Sequence, residues 1–398
     1  MGRNWREVKF SDVVYLRHGH QFRKYDFVKN GIPVIKIGQC KANGNLDLSK
    51  CNYVESSRID EFDDYRIEKG DILMALTGGT LGKVTEVDKD YGVVLQNYRV
   101  GNFFPKKGIT REFIKLILLS NIFQDLVASK VNQGAQPNIG KDSIDNMMIP
   151  LPPLPEQERI VTKLDAVFAK VDQAIGLLEE NIATTQALMG SVLDEEFGRL
   201  ENKGIELKAI KEFAKTKSGG TPRRSEKQFW NGNIPWLKSG ELNDSFNITE
   251  NTEFITEIGL QKSSASLFKK GTLLMAMYGA TAGRLGILGM DACTNQAVCS
   301  IQNHKNLFDE IYIYFFFLSQ RERIIRESFG GAQPNISKGY IDKLEIPLPD
   351  LETQKLLSKK FFDYQNGINS IVATQTQKLS HLKALKSSLL DQAFKGEL

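Results

Sequence analysis

The sequence has few of the residues that build metal or disulfide sites. Its 398 residues include four cysteines, with no Cys-x-x-Cys pair, and four histidines without the spacing of a metal site. We therefore predict free thiols in a reducing compartment, a cytoplasmic protein and no metal bound by this chain. The N-terminus has no apolar signal core, and the longest strongly apolar run, residues 311–318, is far shorter than the ~20 residues of a bilayer span. We expect no membrane association.

The sequence also lacks a large excess of positive or negative charge. The chain has 52 basic and 48 acidic residues, a formal net charge of +4. A strongly basic nucleic-acid-binding protein would carry more, so any DNA-binding surface must be local. The length and the 41% apolar content predict two folded globular domains with connecting elements.

What the sequence does contain is an internal repeat. The six residues Gly134–Ile139 return 197 positions later as Gly331–Ile336, and residues 134–160 agree with 331–357 at 15 of 27 positions. Downstream the offset stays at 197, whereas upstream it drifts from 202 to 199, as surface loops tolerate. We predict two copies of one unit, each a variable domain followed by an element of fixed length. The predicted bounds are 1–149 and 201–346 for the variable domains, and 150–200 and 347–398 for the fixed-length elements.

Each fixed-length element is predicted to be one long helix of an antiparallel coiled-coil pair, because apolar residues recur at 3,4 spacing. The predicted first helix begins near Pro155, with Gly198 as its C-terminal cap, and the second follows the N-cap Asp350 and ends near Gly396. The seam of the first helix is predicted at Val161, Leu164, Phe168, Val171, Ile175, Leu178 and Ile182. The seam of the second is predicted at Leu357, Phe361, Tyr364, Ile368, Ile371, Leu382, Leu385 and Leu389.

The variable domains mix two kinds of apolar pattern. Short strand-like runs occupy residues 34–37, 72–76 and 273–277, and helical patterns cover residues 112–129 and 308–327. This mixture predicts an α/β or α+β domain in each copy.

Each central strand-like run leads into a glycine loop, residues 77–83 in the first copy and 278–284 in the second. A nucleotide phosphate loop needs Gly at Thr77 and Ser or Thr at Val84, so nucleotide hydrolysis is not predicted. A hydroxyl and a cation beside close backbone suit a DNA phosphate, although a tight turn with a solvated cation fits equally well. The candidates for DNA contact are Thr80, Lys83, Tyr278, Thr281 and Arg284.

The repeated Gly-Ala-Gln-Pro-Asn-Ile segment offers amide side chains next to a turn. Such amides can pair with the N6 and N7 edge of adenine, but a purely structural role is equally open because both copies keep the segment. The candidates are Gln136, Asn138, Gln333 and Asn335. We find no Ser-His-Asp, His-Glu-x-x-His or paired-acid pattern, so no catalytic site is predicted.

Together these patterns resemble the specificity subunit of type I restriction-modification systems. The features shared with that family are Gly220-Thr221-Pro222, the run 229–236 (Phe-Trp-Asn-Gly-Asn-Ile-Pro-Trp), the Ile-Pro-Leu-Pro closures, residues 151–160 and the ending 390–398. The first copy departs from it, because residues 17–22 replace the Gly-Gly-Thr-Pro form.

The resemblance implies two target recognition domains, held apart by antiparallel helices, that bind the two halves of a split site on double-stranded DNA. It further implies recruitment of two modification (methyltransferase) subunits and of restriction (translocase) subunits. S-adenosylmethionine, ATP and magnesium are expected on those partners, none of them on this chain, which is not itself catalytic.

Residues 40–68 and 242–269 have little in common, so we predict an asymmetric site whose base-reading residues lie in these unlike segments and in the first loop of each domain. Further candidates for phosphate or guanine contact are Arg23, Lys24, Lys36, Arg223, Arg224 and Lys238, although each cation taken alone is more often simply solvated. The alternative is a non-catalytic coiled-coil scaffold that joins protein partners without DNA specificity. A methyltransferase or nuclease acting alone is disfavoured because an Asn-Pro-Pro-Tyr type motif is absent.

Overall fold

A computed structural model describes residues 5–41, 45–131, 137–328 and 335–398. The chain divides into two compact units, unit 1 with residues 1–179 and 377–398, and unit 2 with residues 180–376. Each unit contains one mixed α/β domain and parts of two long helices. The predicted duplicated fold is confirmed. Among the described residues, no helix combines the length and the apolar character that a membrane span requires.

The first domain and the long helix after it comprise ten strands and five helices within the described residues. The strands are β1 (Arg6–Lys9), β2 (Val14–His18), β3 (Phe27–Val28), β4 (Ile32–Ile35), β5 (Asn52–Val54), β6 (Ile72–Ala75), β7 (Val84–Glu86), β8 (Leu95–Gln96), β9 (Val100–Pro105) and β10 (Met148–Leu151). The helices are α1 (Phe10–Val13), α2 (Arg111–Leu119), α3 (Asn121–Ser129), α4 (Lys141–Asp145) and α5 (Leu154–Asn202).

The second domain follows a similar order, with one helix added between its fifth and sixth strands and one uninterrupted helix in place of α2 and α3. Its strands are β11 (Leu207–Ala209), β12 (Lys215–Ser218), β13 (Trp230–Leu237), β14 (Ser245–Ile248), β15 (Glu253–Ile255), β16 (Leu273–Ala276), β17 (Leu285–Leu288), β18 (Cys293–Thr294), β19 (Val298–Gln302) and β20 (Glu345–Pro347). Its helices are α6 (Ile210–Phe213), α7 (Glu257–Gln261), α8 (Glu310–Glu327), α9 (Lys338–Lys343) and α10 (Leu351–Lys395).

Each domain is built on two main sheets, of four strands each in unit 1 and of five and three strands in unit 2. In unit 1 the strand orders are β2-β9-β6-β7 and β3-β5-β4-β8, and in unit 2 they are β12-β19-β16-β17-β14 and β15-β13-β18. The first and last strands of each domain pair antiparallel, with Val8 opposite Ile149 and Lys208 opposite Ile346. The Ile-Pro-Leu-Pro motif is thus a closing strand, which returns the chain to the domain base before the long helix begins.

The long helices belong to the cores of the units. In unit 1 Leu164 of α5 and Phe394 of α10 are buried in the same apolar cluster as α2, and in unit 2 the Phe197 and Phe361 rings lie 5.6 Å apart, centroid to centroid. Within unit 1, Asp172 pairs with Lys386 and Glu179 with Lys383, so here the two helices run antiparallel.

The predicted seam residues are buried to different extents. Leu164, Val171, Phe361 and Ile368 are buried, whereas Val161, Phe168, Ile175, Leu178, Ile182, Leu382 and Leu389 are partly buried. Tyr364, Ile371 and Leu385 were predicted in the seam but are exposed by 45%, 50% and 44%. An α-helix drifts against a strict 3.5-residue repeat, and the buried face of α10 shifts to Leu390, Ala393 and Phe394.

Two predicted helix boundaries were wrong. Gly198 does not end α5, because Phe197 and Leu200 are buried and their packing outweighs the low helix propensity of one glycine. The helix continues to Asn202, and Gly204 (φ +71°) adopts the left-handed conformation beyond its end. The predicted helix 112–129 is interrupted at Ser120, whose extended backbone and hydroxyl cap α3. The predicted N-cap Asp350 is confirmed, since its carboxylate accepts the Thr353 N–H at 2.9 Å.

A buried glutamine fixes each long helix to its domain. Gln157 is fully buried, donates to the carbonyls of Gly108 and Pro152 (both 2.9 Å), and accepts the Thr110 N–H at 3.0 Å. Gln354 makes the corresponding contacts in unit 2, accepting the Asp309 N–H at 2.9 Å and donating to the Pro349 carbonyl at 2.8 Å. These bonds satisfy backbone groups that the domain surface would otherwise leave unpaired.

Candidate nucleic-acid interface

The glycine loop after the central strand has the same geometry in both units. In unit 1 the Ala75 N–H donates to the Lys83 carbonyl at 3.0 Å, and the Gly82 N–H donates to the Ala75 carbonyl at 2.9 Å. Gly78 and Gly82 have φ values of +78° and +81°, which favour glycine strongly. In unit 2 Gly279 and Gly283 have φ values of +68° and +79°. The glycines therefore close a tight turn that also contains Thr80 and Lys83 in unit 1, and Thr281 and Arg284 in unit 2.

In unit 1 three sequence-distant candidates lie together. The Ile139 N–H donates to the Leu76 carbonyl at 3.0 Å, so Asn138 lies opposite Thr77 in an antiparallel bridge. Gly78 of the loop also lies close to Ile37, the residue after Lys36. A Cβ atom added to Gly78 would be 3.3 Å from the Ile37 side chain. The glycine loop, Asn138 and the end of strand β4 thus share one end of the domain.

The same arrangement recurs in unit 2 with different side chains. Tyr278 bridges Asn335, and the Ile336 N–H donates to the Met277 carbonyl at 2.8 Å. The Thr281 hydroxyl lies 3.2 Å from the hydroxyl of Ser239, and Ser239 directly follows Lys238. The structure therefore brings the candidates Lys238, Tyr278, Thr281 and Asn335 to one end of the second domain.

Two residues that sequence reasoning missed complete the cluster of unit 1. Arg99 stacks on Tyr98 and donates to its hydroxyl at 2.9 Å, and both line a cavity of about 300 Å³ with His18, Thr77 and Asn138. Burial and the neighbouring Arg99 cation lower the pKa of Lys36, which lies 4.4 Å over the Phe27 ring. The His18 Nε2 and Thr77 Oγ1 atoms are buried without a hydrogen-bond partner in the described part of the chain. Unpaired polar atoms in a cavity that Arg99 also lines suit a polar, anionic ligand.

Unit 2 places an arginine on tryptophan. The Arg224 guanidinium lies 3.8 Å from the centroid of the Trp230 ring and 4.9 Å from that of Trp236. Glu253 pairs with Arg224 and with Lys238, and the Arg224 hydrogen bond lowers the pKa of this carboxyl. The stacked, paired guanidinium is held in one orientation, which is what a directional contact to a base or phosphate needs.

The first loops differ as the sequence indicates. In unit 2 Trp236 donates its indole N–H to the Gly220 carbonyl at 2.9 Å, and a Cβ on Gly220 would lie 2.3 Å from the backbone of Ser264. In unit 1 His20 packs against three aromatic rings, with centroids 4.8 to 5.4 Å away. No sequence pattern indicates those ring contacts, because they come from residues 22, 62 and 65.

The remaining candidates are less constrained. Arg23, Lys24, Thr80 and Arg223 are exposed, Lys83 is partly buried, and the Arg284 guanidinium lies 3.4 Å from the Asn243 side-chain oxygen. Gln136 and Gln333 lie outside the described residues.

The cysteines are free thiols, as predicted, and burial raises the pKa of Cys40, Cys293 and Cys299 to about 12. Within the described ranges, no group of three or more His, Cys, Asp or Glu side chains is arranged to hold a metal ion.

The fold and these clusters define a duplicated α/β protein in which each copy carries its own polar loop cluster. The family model described as type I restriction modification DNA specificity domain matches residues 2–180 and 202–381. The chain therefore belongs to the family of type I restriction-modification specificity subunits.

Relatives match along nearly the whole chain. The putative type I restriction enzyme MjaX specificity subunit of Methanocaldococcus jannaschii is 21% identical over 418 residues, covering 99% of this chain and 94% of its own. The type I restriction enzyme HindI specificity subunit of Haemophilus influenzae is 22% identical over 483 residues, covering 99% of this chain and 100% of its own. Both of these relatives are specificity subunits.

Solved structures support the fold. A chain from a structure concerned with complex assembly and conformational transition of the type I restriction-modification system superposes with a TM-score of 0.78 at 20% identity, covering 100% of this chain and 99% of that one. The HsdS subunit from Thermoanaerobacter tengcongensis gives a TM-score of 0.54 at 18% identity, covering 100% and 98%.

Proposed function

We propose that this chain is the DNA sequence-specificity subunit of a type I restriction-modification complex and reads an asymmetric, two-part DNA site, one part per domain. The observation that carries the proposal is the convergence of basic, amide and hydroxyl side chains at one end of each domain. Lys36 and Asn138 flank the glycine loop of unit 1, and Lys238 and Asn335 flank that of unit 2. Local cations supply phosphate contacts that the small net charge of +4 would not by itself provide.

The asymmetry of the proposed site rests on unlike side chains at equivalent positions. Thr77 in unit 1 is replaced by Tyr278 in unit 2, and both bridge the asparagine of the repeated segment. The stacked arginines also differ in their place in the fold: Arg224 of the first loop stacks on two tryptophans in unit 2, whereas Arg99, which precedes strand β9, stacks on Tyr98 in unit 1. Identical readers on a two-fold arrangement bind a palindrome, so unlike readers should bind two unlike half-sites.

The long helices are proposed to set the spacing of the half-sites and to recruit two methyltransferase subunits and the restriction subunits. The fixed offset of 197 residues between the helices supports a role that tolerates no change of length. S-adenosylmethionine, ATP and magnesium are expected on those partners, with this chain non-catalytic. The helix role is tested by removing seven residues from both α5 and α10, which should change the spacer and spare the half-sites. An unchanged spacer in a folded, active complex would contradict it.

The recognition role is tested by methylome sequencing of cells that express the chain with its methyltransferase partners. Arg99→Ala should relax the half-site read by unit 1, and Arg224→Ala the other half-site, because one guanidinium contact contributes about 1–3 kcal/mol of discrimination. Lys208→Ala is the matched control, since Lys208 lies on β11, the first strand of the second domain, and pairs with Glu206.

The outcomes separate the candidate functions. Relaxation confined to one half-site per variant supports the proposal. If the reconstituted complex shows no preference among DNA sequences in a gel shift, the alternative of a scaffold that joins protein partners without DNA specificity stands instead. Methylation by the purified chain alone would contradict the non-catalytic role.

A further inference from the structure

A cavity of about 550 Å³ lies in unit 1 between strand β7, helix α2 and the two long helices. Its floor is apolar, formed by Val84, Leu116, Phe168 and Leu390. Val84, Leu116 and Leu390 are buried, and Leu119 at the rim is 41% exposed. A cavity of this volume, with an apolar floor and an exposed leucine at its rim, is typical of a site that receives a side chain of another molecule.

Unit 2 fills the equivalent space with its own side chains. Phe246 of strand β14 lies 4.4 Å from Tyr314 and 5.2 Å from Phe362, centroid to centroid. Strand β14 pairs with β17 at the edge of its sheet, whereas β7, the counterpart of β17, is itself the edge strand within the described residues of unit 1. No strand corresponding to β14 therefore covers this side of β7 among the described residues of unit 1.

The lining of the cavity also differs from that of unit 2. Lys115 and Asp165 occupy the aligned positions of Tyr314 and Phe362. Four acidic residues and two lysines line the cavity, which gives it a formal charge of −2: Glu86, Asp88, Asp165, Asp172, Lys115 and Lys386. The occupant is therefore expected to carry positive charge.

The lysines are already paired. Lys115 bonds Glu86 at 2.5 Å, and Lys386 bonds Asp172 at 2.7 Å while lying 4.8 Å from the centroid of the Phe168 ring. Asp88 accepts the Tyr91 hydroxyl at 2.7 Å. Asp165 has no hydrogen bond or ion pair within the part of the chain that the structure describes, and it is exposed at the cavity mouth. One carboxylate is thus free to receive a cation.

We infer that this cavity is a docking site for an arginine side chain, followed by an apolar residue, on an extended segment of a protein partner. The three-carbon stem of arginine covers the apolar floor, and its planar guanidinium reaches Asp165 beside the Phe168 ring. The volume exceeds that of one side chain, so the adjacent apolar residue of the partner packs on Leu119. This site goes beyond DNA recognition and does not depend on it.

The test uses the full chain and a fluorescein-labelled peptide, Gly-Ser-Arg-Leu-Ser-Gly, in fluorescence anisotropy. Two matched peptides replace arginine by citrulline, which has the same shape without the charge, or by phenylalanine. We expect a Kd below about 1 mM for the arginine peptide and binding at least about tenfold weaker for citrulline, because a hydrogen bond to a charged group is worth roughly 1.5–3 kcal/mol.

Variants of the chain locate the binding. Asp165→Asn should weaken the arginine peptide about tenfold, and Ala169→Trp, at an exposed position of the lining, should block the cavity. Glu158→Gln, an exposed acid on the same helix outside the lining, is the matched control and should leave the affinity unchanged. No binding at about 1 mM, equal binding of citrulline, preference for phenylalanine, or full affinity in both cavity variants would each overturn the assignment.

Discussion

The buried Gln157 allows the attachment of a long helix to its domain to be measured directly. Replacing it by alanine removes an acceptor from the Thr110 N–H and a donor from the carbonyls of Gly108 and Pro152, at 2.9 to 3.0 Å. An unpaired buried donor costs about 1–3 kcal/mol, and the two lost carbonyl bonds add roughly 1 kcal/mol together, since a site beside a loop relaxes in part. We expect Gln157→Ala to destabilise unit 1 by about 2–4 kcal/mol.

Hydrogen-exchange mass spectrometry is the appropriate assay, because it resolves the two units within one chain. At about 1.36 kcal/mol per factor of ten, the amides of residues 106–118 should lose protection by roughly 30- to 900-fold. Gln354→Ala should cause the corresponding loss at residues 305–318 of unit 2, because Gln354 accepts the Asp309 N–H. Each variant should leave the other unit unchanged.

Gln173→Ala is the matched control, since Gln173 is exposed on the same helix α5. It should preserve protection in both units, because alanine is at least as good a helix former as glutamine. The reasoning would be refuted if Gln157→Ala behaved like Gln173→Ala, or if Gln157→Ala and Gln354→Ala loosened both units equally. In either case the buried glutamine would not be the group that holds helix and domain together.

Three further predictions follow from burial, charge and backbone geometry. Ellman's reagent at pH 8 should modify the half-buried Cys51 before the other three cysteines. Those three are buried, and their thiol pKa of about 12 keeps them protonated at this pH. Unfolding should make all four thiols reactive. The Asp26 carboxylate accepts hydrogen bonds from the Arg23 N–H and the Arg58 guanidinium, and both lower its pKa. Its contribution to the stability of the fold is therefore present above about pH 4 and is lost as the pH falls through the pKa of the folded state. In urea titrations from pH 6 to 3, Asp26→Asn should lose less stability than the unmodified protein. Gly220→Ala should lower thermal stability and the affinity for one half-site, because its Cβ would lie 2.3 Å from the Ser264 backbone, and an unchanged melting temperature would contradict this.

The repeat made most of the fold predictable from the sequence. The fixed offset and the 3,4 apolar spacing predict the two long helices, and the repeated Gly-x-Thr-x-Gly loops and Asn-Ile segments are candidate sites from the sequence alone. What pattern reasoning could not supply was the partner of each side chain. Nothing near Arg99 indicates that it joins Thr77 and Asn138, because that proximity depends on strand β9 lying beside β6.

The boundaries failed where packing overrides local preference. Gly198 lies within a helix because its neighbours Phe197 and Leu200 are buried, and Tyr364 is exposed because the apolar face of α10 rotates away from it. The sequence does carry a signal for the buried glutamines. Gln157 and Gln354 are identical at the offset of 197 although the helix starts around them diverge, and a polar residue kept at both positions indicates a shared buried contact.

The comparison of the two copies supports a division of roles within one chain. Where the copies agree, as at the glycine loops, at the closing strands and at the buried glutamines, their side chains make matching contacts in both units, so agreement marks scaffold. Two of their differences fall on surfaces that could contact a partner: Thr77 against Tyr278 at the polar loops, and Asp165 against Phe362 at the cavity. If recognition resides in the differences, exchanging Thr77 and Tyr278 should alter DNA preference and leave stability intact. A loss of stability without a change of preference would instead place these two residues in the scaffold.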